Sequence, residues 1–187
     1  MTTGINSVPI TPEQYLDIQR TTDARSEYRA GEMLPLPRPN RAHGNIVVNL
    51  AEALGSPLRG TNCKGNVGIA VSAPASFLIP DLVVYCDGGD FAEQNDVLRN
   101  PTVIFEILPP STSDYDHGHK WILYQQIASL AHYVMVSQDE VRVEVYSRES
   151  DGRWQYEVET DLESSISLTA INCRLELAAI YDRLDFD

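Results

Sequence analysis

The chain has 187 residues, 43% hydrophobic and 22% charged, ordinary globular proportions that let one domain bury a full core. Its formal net charge of −13 argues against nucleic-acid binding by bulk charge, because phosphates favour basic surfaces. No apolar run is long enough to span a membrane, and residues 1–10, expected to be a flexible lead-in, lack the basic start and apolar block of a secretory leader.

Thr11-Pro12-Glu13-Gln14 opens a helix: a threonine cap, proline in the first turn, and glutamine placed to close a capping box. Tyr15 and Ile18 can pack inward from it. The stretch from Glu27 to Met33 reads as a short turn or hairpin, and three prolines between positions 35 and 39 forbid regular structure there. A second helix is predicted over about 41–58, with Ala42, Ile46, Val47, Leu50, Ala53 and Leu54 at helical spacing and Ser56-Pro57 ending it. Strands follow near 67–72, 77–86 and 101–108, separated by a polar loop. Pro109-Pro110 stops the third, and Ser113 or Asp114 can cap a helix of about 115–128. Strands at 132–137, 141–147 and 153–159 and a final helix of about 176–184 complete a single α/β domain.

The charge is uneven. Residues 139–187 hold 13 acids and 5 bases (−8), against 14 and 9 (−5) over 1–138. Half of all basic residues (Arg20, Arg25, Arg29, Arg38, Arg41, Arg59 and Lys64) fall between positions 20 and 64. That cluster is a local basic surface or simply a solvated mixed-charge one. Cys63, Cys86 and Cys173 are odd in number and lack metal-ligand spacing, so reduced thiols in a cytoplasmic protein are expected, with Cys86 at a strand end.

Two acids stand inside apolar runs: Asp81 within 77–85 and Glu106 within 103–108. On a period of two, Asp81 shares a face with Ile79, Val83 and Tyr85, and Glu106 with Ile104 and Leu108. Both runs are apolar on each face, as in a sheet covered on both sides. A carboxylate buried there must be paired, protonated or bound to a cation. Lys120 lies on a helical stripe with Leu123, Tyr124 and Ile127 that has to face the sheet. Asp116, one turn earlier, offers it an ordinary surface ion pair as the alternative. Two carboxylates with an adjacent lysine can hold Mg2+ or Mn2+ and orient the attacking water for phosphodiester hydrolysis.

These segments (Ile79 to Val84, Phe105 to Thr112, Tyr115 to Lys120, and Tyr124 downstream) resemble the Uma family of endonucleases, in the restriction-endonuclease-like PD-(D/E)xK superfamily. The likeness runs from about Thr11 to Ile180 and includes the stretches at 27–32 and 43–54. It implies an α/β core with a central mixed sheet flanked by helices, and metal-dependent cleavage of nucleic acid, DNA above all. By the resemblance Asp81 and Glu106 bind the metal, Lys120 is the catalytic lysine, and Glu27 is an additional acid near the ion. One departure stands out: the superfamily's lysine lies two residues after the acid, where this chain has Leu108.

Arg41 and His43 are candidate substrate contacts, with a helix-end or packed role the alternative for His43. His117 and His119 flank Gly118 and do not face each other on a helix. His132 reads as a surface residue, and Trp121 and Trp154 as core or interface anchors. No nucleophile elbow or Gly-rich phosphate loop is present. The competing reading is a catalytically silent nuclease-fold protein that binds a partner through its acidic surface. A homodimer would reconcile the two, its basic N-terminal regions flanking a shared groove.

Overall fold

In the computed structural model, the described residues are 9–92, 94, 96–109 and 116–186, with only the backbone of Asp116 and His117. Helix α1 (Pro12–Thr21) starts as expected: Thr11 accepts from Gln14 N–H, and Gln14 returns the bond to the Thr11 backbone. Tyr15 is buried and its hydroxyl donates to Ser26 O at 2.5 Å. Strands β1 (Ser26–Arg29) and β2 (Glu32–Pro35) form the anticipated hairpin around Ala30 and Gly31, both at positive φ. A Cβ on Gly31 would come within 2.8 Å of Pro9. Ile10 N–H donates to Gly31 O, so the chain is tied down by its tenth residue.

Helix α2 (Arg41–Leu58) is capped by Asn40 and keeps Pro57 inside its last turn. It buries Ile46, Leu50, Leu54 and Leu58 at a spacing of four, each burial worth about 1.5–3 kcal/mol. The expected strand at 67–72 is instead two, β3 (Lys64–Val67) and β4 (Ala70–Ala73), parted at Gly68 with φ +66°. The expected strand at 77–86 also divides, into β5 (Ser76–Leu78) and β6 (Leu82–Tyr85). Pro80 explains this break: it has no N–H for a ladder, and the Ile79 N–H beside it is taken by a side chain, Glu27.

After β7 (Val97–Leu98) comes β8 (Val103–Leu108), every residue of which is buried. A π-turn, Asp116–Lys120, runs into the short helix α3 (Trp121–Tyr124). The proposed stop at Pro110, the caps at Ser113 or Asp114, and the side chains of Asp116 and His117 lie outside the described residues. Then follow β9 (His132–Ser137), β10 (Val143–Arg148) and β11 (Trp154–Glu159). An unanticipated hairpin, β12 (Ser165–Leu168) with β13 (Cys173–Glu176), precedes the last helix, α4 (Leu177–Ile180).

The strands build a six-stranded sheet, β11-β10-β9-β8-β6-β3, and a five-stranded sheet, β2-β1-β5-β4-β7. Both are mixed, with β8 parallel to β9 and β4 parallel to β7. A parallel neighbour requires a crossover, and for β8 and β9 the segment carrying α3 supplies it. One face of the larger sheet (Val84, Phe105, Ile107, Val134) packs on α2 and the β12–β13 hairpin. The other (Val83, Ile104, Leu108, Met135) packs on α3 and on Val71, Leu78 and Leu98 of the smaller sheet. The sheet is therefore covered on both sides, as the sequence pattern implies.

Two further expectations are corrected. Cys63 and Cys86 are not reduced thiols but a disulfide: the antiparallel register sets Lys64 against Tyr85, so the next residues outward meet. Cys173 is unbridged and buried. His132 is not a surface residue. It is 2% exposed, its Nδ1 contacts Ser147 Oγ at 2.9 Å, and Ala170 N–H donates to Nε2. No helix among the described residues is long and apolar enough to cross a membrane.

Candidate active site

The chain passes from one sheet to the other between Leu78 and Leu82, and Asp81 stands at that passage, one residue before β6. The register pairs Leu82 with Phe105 and Val83 with Ile104. Continued by one residue, it sets Asp81 against Glu106. β6 has ended there as a ladder, and the acid's side chain extends the pairing in its place, with Asp81 Oδ2 accepting Ile107 N–H at 2.7 Å. Its other oxygen, Oδ1, lies 3.0 Å from His43 Nε2, in the first turn of α2. The Asp81 side chain is 20% exposed and that of His43 17%, so this pair opens to solvent while its neighbours do not.

Those neighbours form a buried ion group between the sheets. Lys120 Nζ lies 2.9 Å from Glu106 Oε1 and 3.1 Å from Glu27 Oε1, all three side chains being at most 6% exposed. The inward stripe predicted for Lys120 is present, with Tyr124 and Ile127 buried beside it and Leu123 half-buried. Glu106 Oε1 also accepts from Tyr124 OH at 2.9 Å. Burial first, and then the Glu106 charge, push the Tyr124 phenol well above its ordinary pKa, so it remains a donor. Glu27 Oε1 accepts Ile79 N–H at 3.0 Å, fixing the backbone two residues before Asp81.

The structure thus gathers Asp81, Glu106, Lys120, Glu27 and His43 at one place, where β1, β8, the passage into β6, the π-turn and α2 meet. Arg41 and His119 are exposed, Arg41 in the same helical turn as His43. Trp121 stacks on Tyr146 at 4.0 Å and meets Trp154 edge-on, which makes both tryptophans packing anchors. The backbone donors Ile79 N–H and Ile107 N–H had no signal in the sequence. Tyr124 had one, its place on the Lys120 stripe.

Among the described residues, no three His, Cys, Asp or Glu side chains gather closely enough to hold a metal by themselves. The donors available at Asp81 and Glu106 are carboxylate oxygens, which suit a small hard cation such as Mg2+ or Mn2+. Such ions keep several waters and are commonly held by one or two carboxylates together with substrate phosphate. The residues present fit that kind of ion.

The family model Uma2, described as "Putative restriction endonuclease", matches residues 12–179. The uncharacterized protein slr1290 of Synechocystis is 29% identical over 183 residues, which cover 95% of this chain and 94% of that protein. A second Synechocystis protein, the uncharacterized sll1609, is 25% identical over 151 residues, 78% of this chain and 84% of its own. A crystal structure from Anabaena variabilis, described as a "putative nuclease belonging to DUF820", superposes with a TM-score of 0.77 at 19% identity, covering 92% of this chain and 97% of that one. At that identity the likeness is one of fold, and the fold is the restriction-endonuclease-like core with its mixed sheet flanked by helices.

Proposed function

The chain belongs to the Uma2 family, and from that premise we propose that it is a divalent-metal-dependent endonuclease hydrolysing phosphodiester bonds of DNA. Asp81 and Glu106 are the residues that hold Mg2+ or Mn2+, which when bound acts as a Lewis acid and lowers the pKa of water at the site. Lys120 supplies a fixed positive charge beside Glu106, placed to orient the attacking water or to donate to a phosphoryl oxygen. Glu27 keeps that ammonium in place and, through Ile79 N–H, holds the passage that presents Asp81. Arg41, exposed at the start of α2, meets the nucleic-acid backbone, where the first turn of a helix already favours an anion.

The observation that carries this reading is the convergence of three elements on β8. Lys120 and Tyr124 fix Glu106 from one side, while Asp81 is bound to the very next residue, Ile107. The position taken by Leu108 in place of the superfamily's lysine is no obstacle, because the ammonium reaches the same acid from the next helix. A second reading, a silent nuclease-fold module that binds a protein, draws on the −8 charge of residues 139–187.

One assay separates the two. Purified protein with Mg2+ or Mn2+ should nick supercoiled plasmid, and Asp81→Asn should abolish nicking while far-UV circular dichroism is unchanged. Wild-type protein inert towards DNA and RNA with either ion would overturn the enzymatic reading and leave the binding one.

A further inference from the structure

We propose that His43 is the positioning residue of Asp81: it works through the carboxylate, setting the orientation in which the acid takes a cation, rather than on the nucleic acid. This rests on the metal-binding reading above and adds to it a residue whose role can be separated from ligation.

The imidazole is held at its root. Asn40 Oδ1 accepts His43 N–H at 2.9 Å as the cap of α2. The same helix is anchored one turn later by Ile46 and again by Leu50, both fully buried against the sheet. His43 therefore reaches Asp81 from a fixed backbone, and with a carboxylate as acceptor its Nε2 carries the hydrogen. Asp81 is gripped at both ends, Oδ1 by His43 from α2 and Oδ2 by Ile107 N–H from β8. One donor on each oxygen fixes the plane of the carboxylate. It leaves each oxygen a second lone-pair direction, because a carboxylate offers about four acceptor sites. The backbone donor cannot be removed by a side-chain substitution, whereas the histidine can. Donors that orient a ligating group typically change metal affinity by about 10–100-fold when removed.

The test is calorimetric titration of MnCl2 into the intact, nucleic-acid-free protein, for wild type, Asp81→Asn, His43→Ala and His43→Gln, each first checked for folding by thermal melt. Gln carries an amide N–H to about where Nε2 stands. The expected result is that His43→Ala weakens Mn2+ binding about 10–100-fold, that His43→Gln recovers most of that loss, and that plasmid nicking by each His43 variant is restored by raising Mn2+. Wild-type affinity in His43→Ala, alongside lost binding in Asp81→Asn, overturns the positioning role and leaves the metal reading intact. An equal loss in Ala and Gln also overturns it, because the hydrogen bond would then not be what matters. Absence of Mn2+ binding by wild type defeats the metal reading itself and this inference with it.

Discussion

Replacing Lys120 by Met keeps much of the side-chain volume and deletes the ammonium that lies between Glu27 and Glu106. The two contacts are 2.9 and 3.1 Å. At an effective dielectric of about 20, each corresponds to a gross attraction of about 5 kcal/mol. Most of that is offset by the desolvation of all three groups, and the measurable cost of breaking such a pair is about 3–5 kcal/mol, because an unbalanced carboxylate is left inside. With a urea dependence of about 2 kcal/mol per molar, the midpoint should fall by about 2 M. Equilibrium unfolding followed by tryptophan fluorescence reads this directly. Adding Glu27→Gln to Lys120→Met removes one of the stranded charges, so the double variant should be more stable than the sum of the single losses predicts, by about 0.5–3 kcal/mol. A Lys120→Met midpoint equal to that of wild type, or strict additivity in the cycle, would refute the view that these three groups are mutually dependent in the folded state.

Two further outcomes follow from residues outside the site. Burial pushes His132 down from 6.5 to about 4, so the unfolded chain binds the extra proton between those values. Its contribution to stability is complete above about pH 6.5 and is lost as pH falls towards about 4, by about 3 kcal/mol at 1.36 kcal/mol per unit. His132→Asn should flatten the pH dependence of unfolding across that window, and slopes parallel to wild type would count against it. The Cys63–Cys86 bridge spans a sequence separation of 23, for which chain entropy gives about 3 kcal/mol. Dithiothreitol and Cys63→Ser should destabilise equally, and dithiothreitol should do nothing more to Cys63→Ser. An additional effect in that variant would contradict the pairing.

Local chemistry made much of the fold legible. The Thr11 capping box, the hairpin turn at Ala30-Gly31, the four-residue spacing of α2 and the alternation of β10 each specify an element by themselves, and each is present. What failed depended on distant partners. Pro80 was visible inside an apolar run, yet the division of that run between two sheets also needed Glu27, 52 residues before Ile79, to take its N–H. The disulfide needed the β3–β6 register, and His132 needed Ala170 to bury it. The β12–β13 hairpin is faint in the sequence because its strands alternate apolar residues with serine, arginine and glutamate, so only two inward residues on each carry the signal. At the site the charged side chains stood out because apolar strands and stripes do not tolerate them unpartnered. The backbone donors that hold them leave no trace in residue identity.

The bond from Ile107 N–H to Asp81 gives position 81 a second employer. Where β6 stops, its side chain continues the pairing of β8, and alanine there would orphan a main-chain donor in the middle of the protein. A descendant that had given up chemistry altogether would still be obliged to keep an acceptor at 81, with asparagine serving as well as aspartate. Positions 106 and 120 would be released together to become apolar, whereas position 27, which accepts Ile79 N–H, would have to keep an acceptor such as glutamine. Within this family, asparagine at 81 and glutamine at 27, with Lys120 and Glu106 lost together, is therefore the pattern that would mark a retired enzyme.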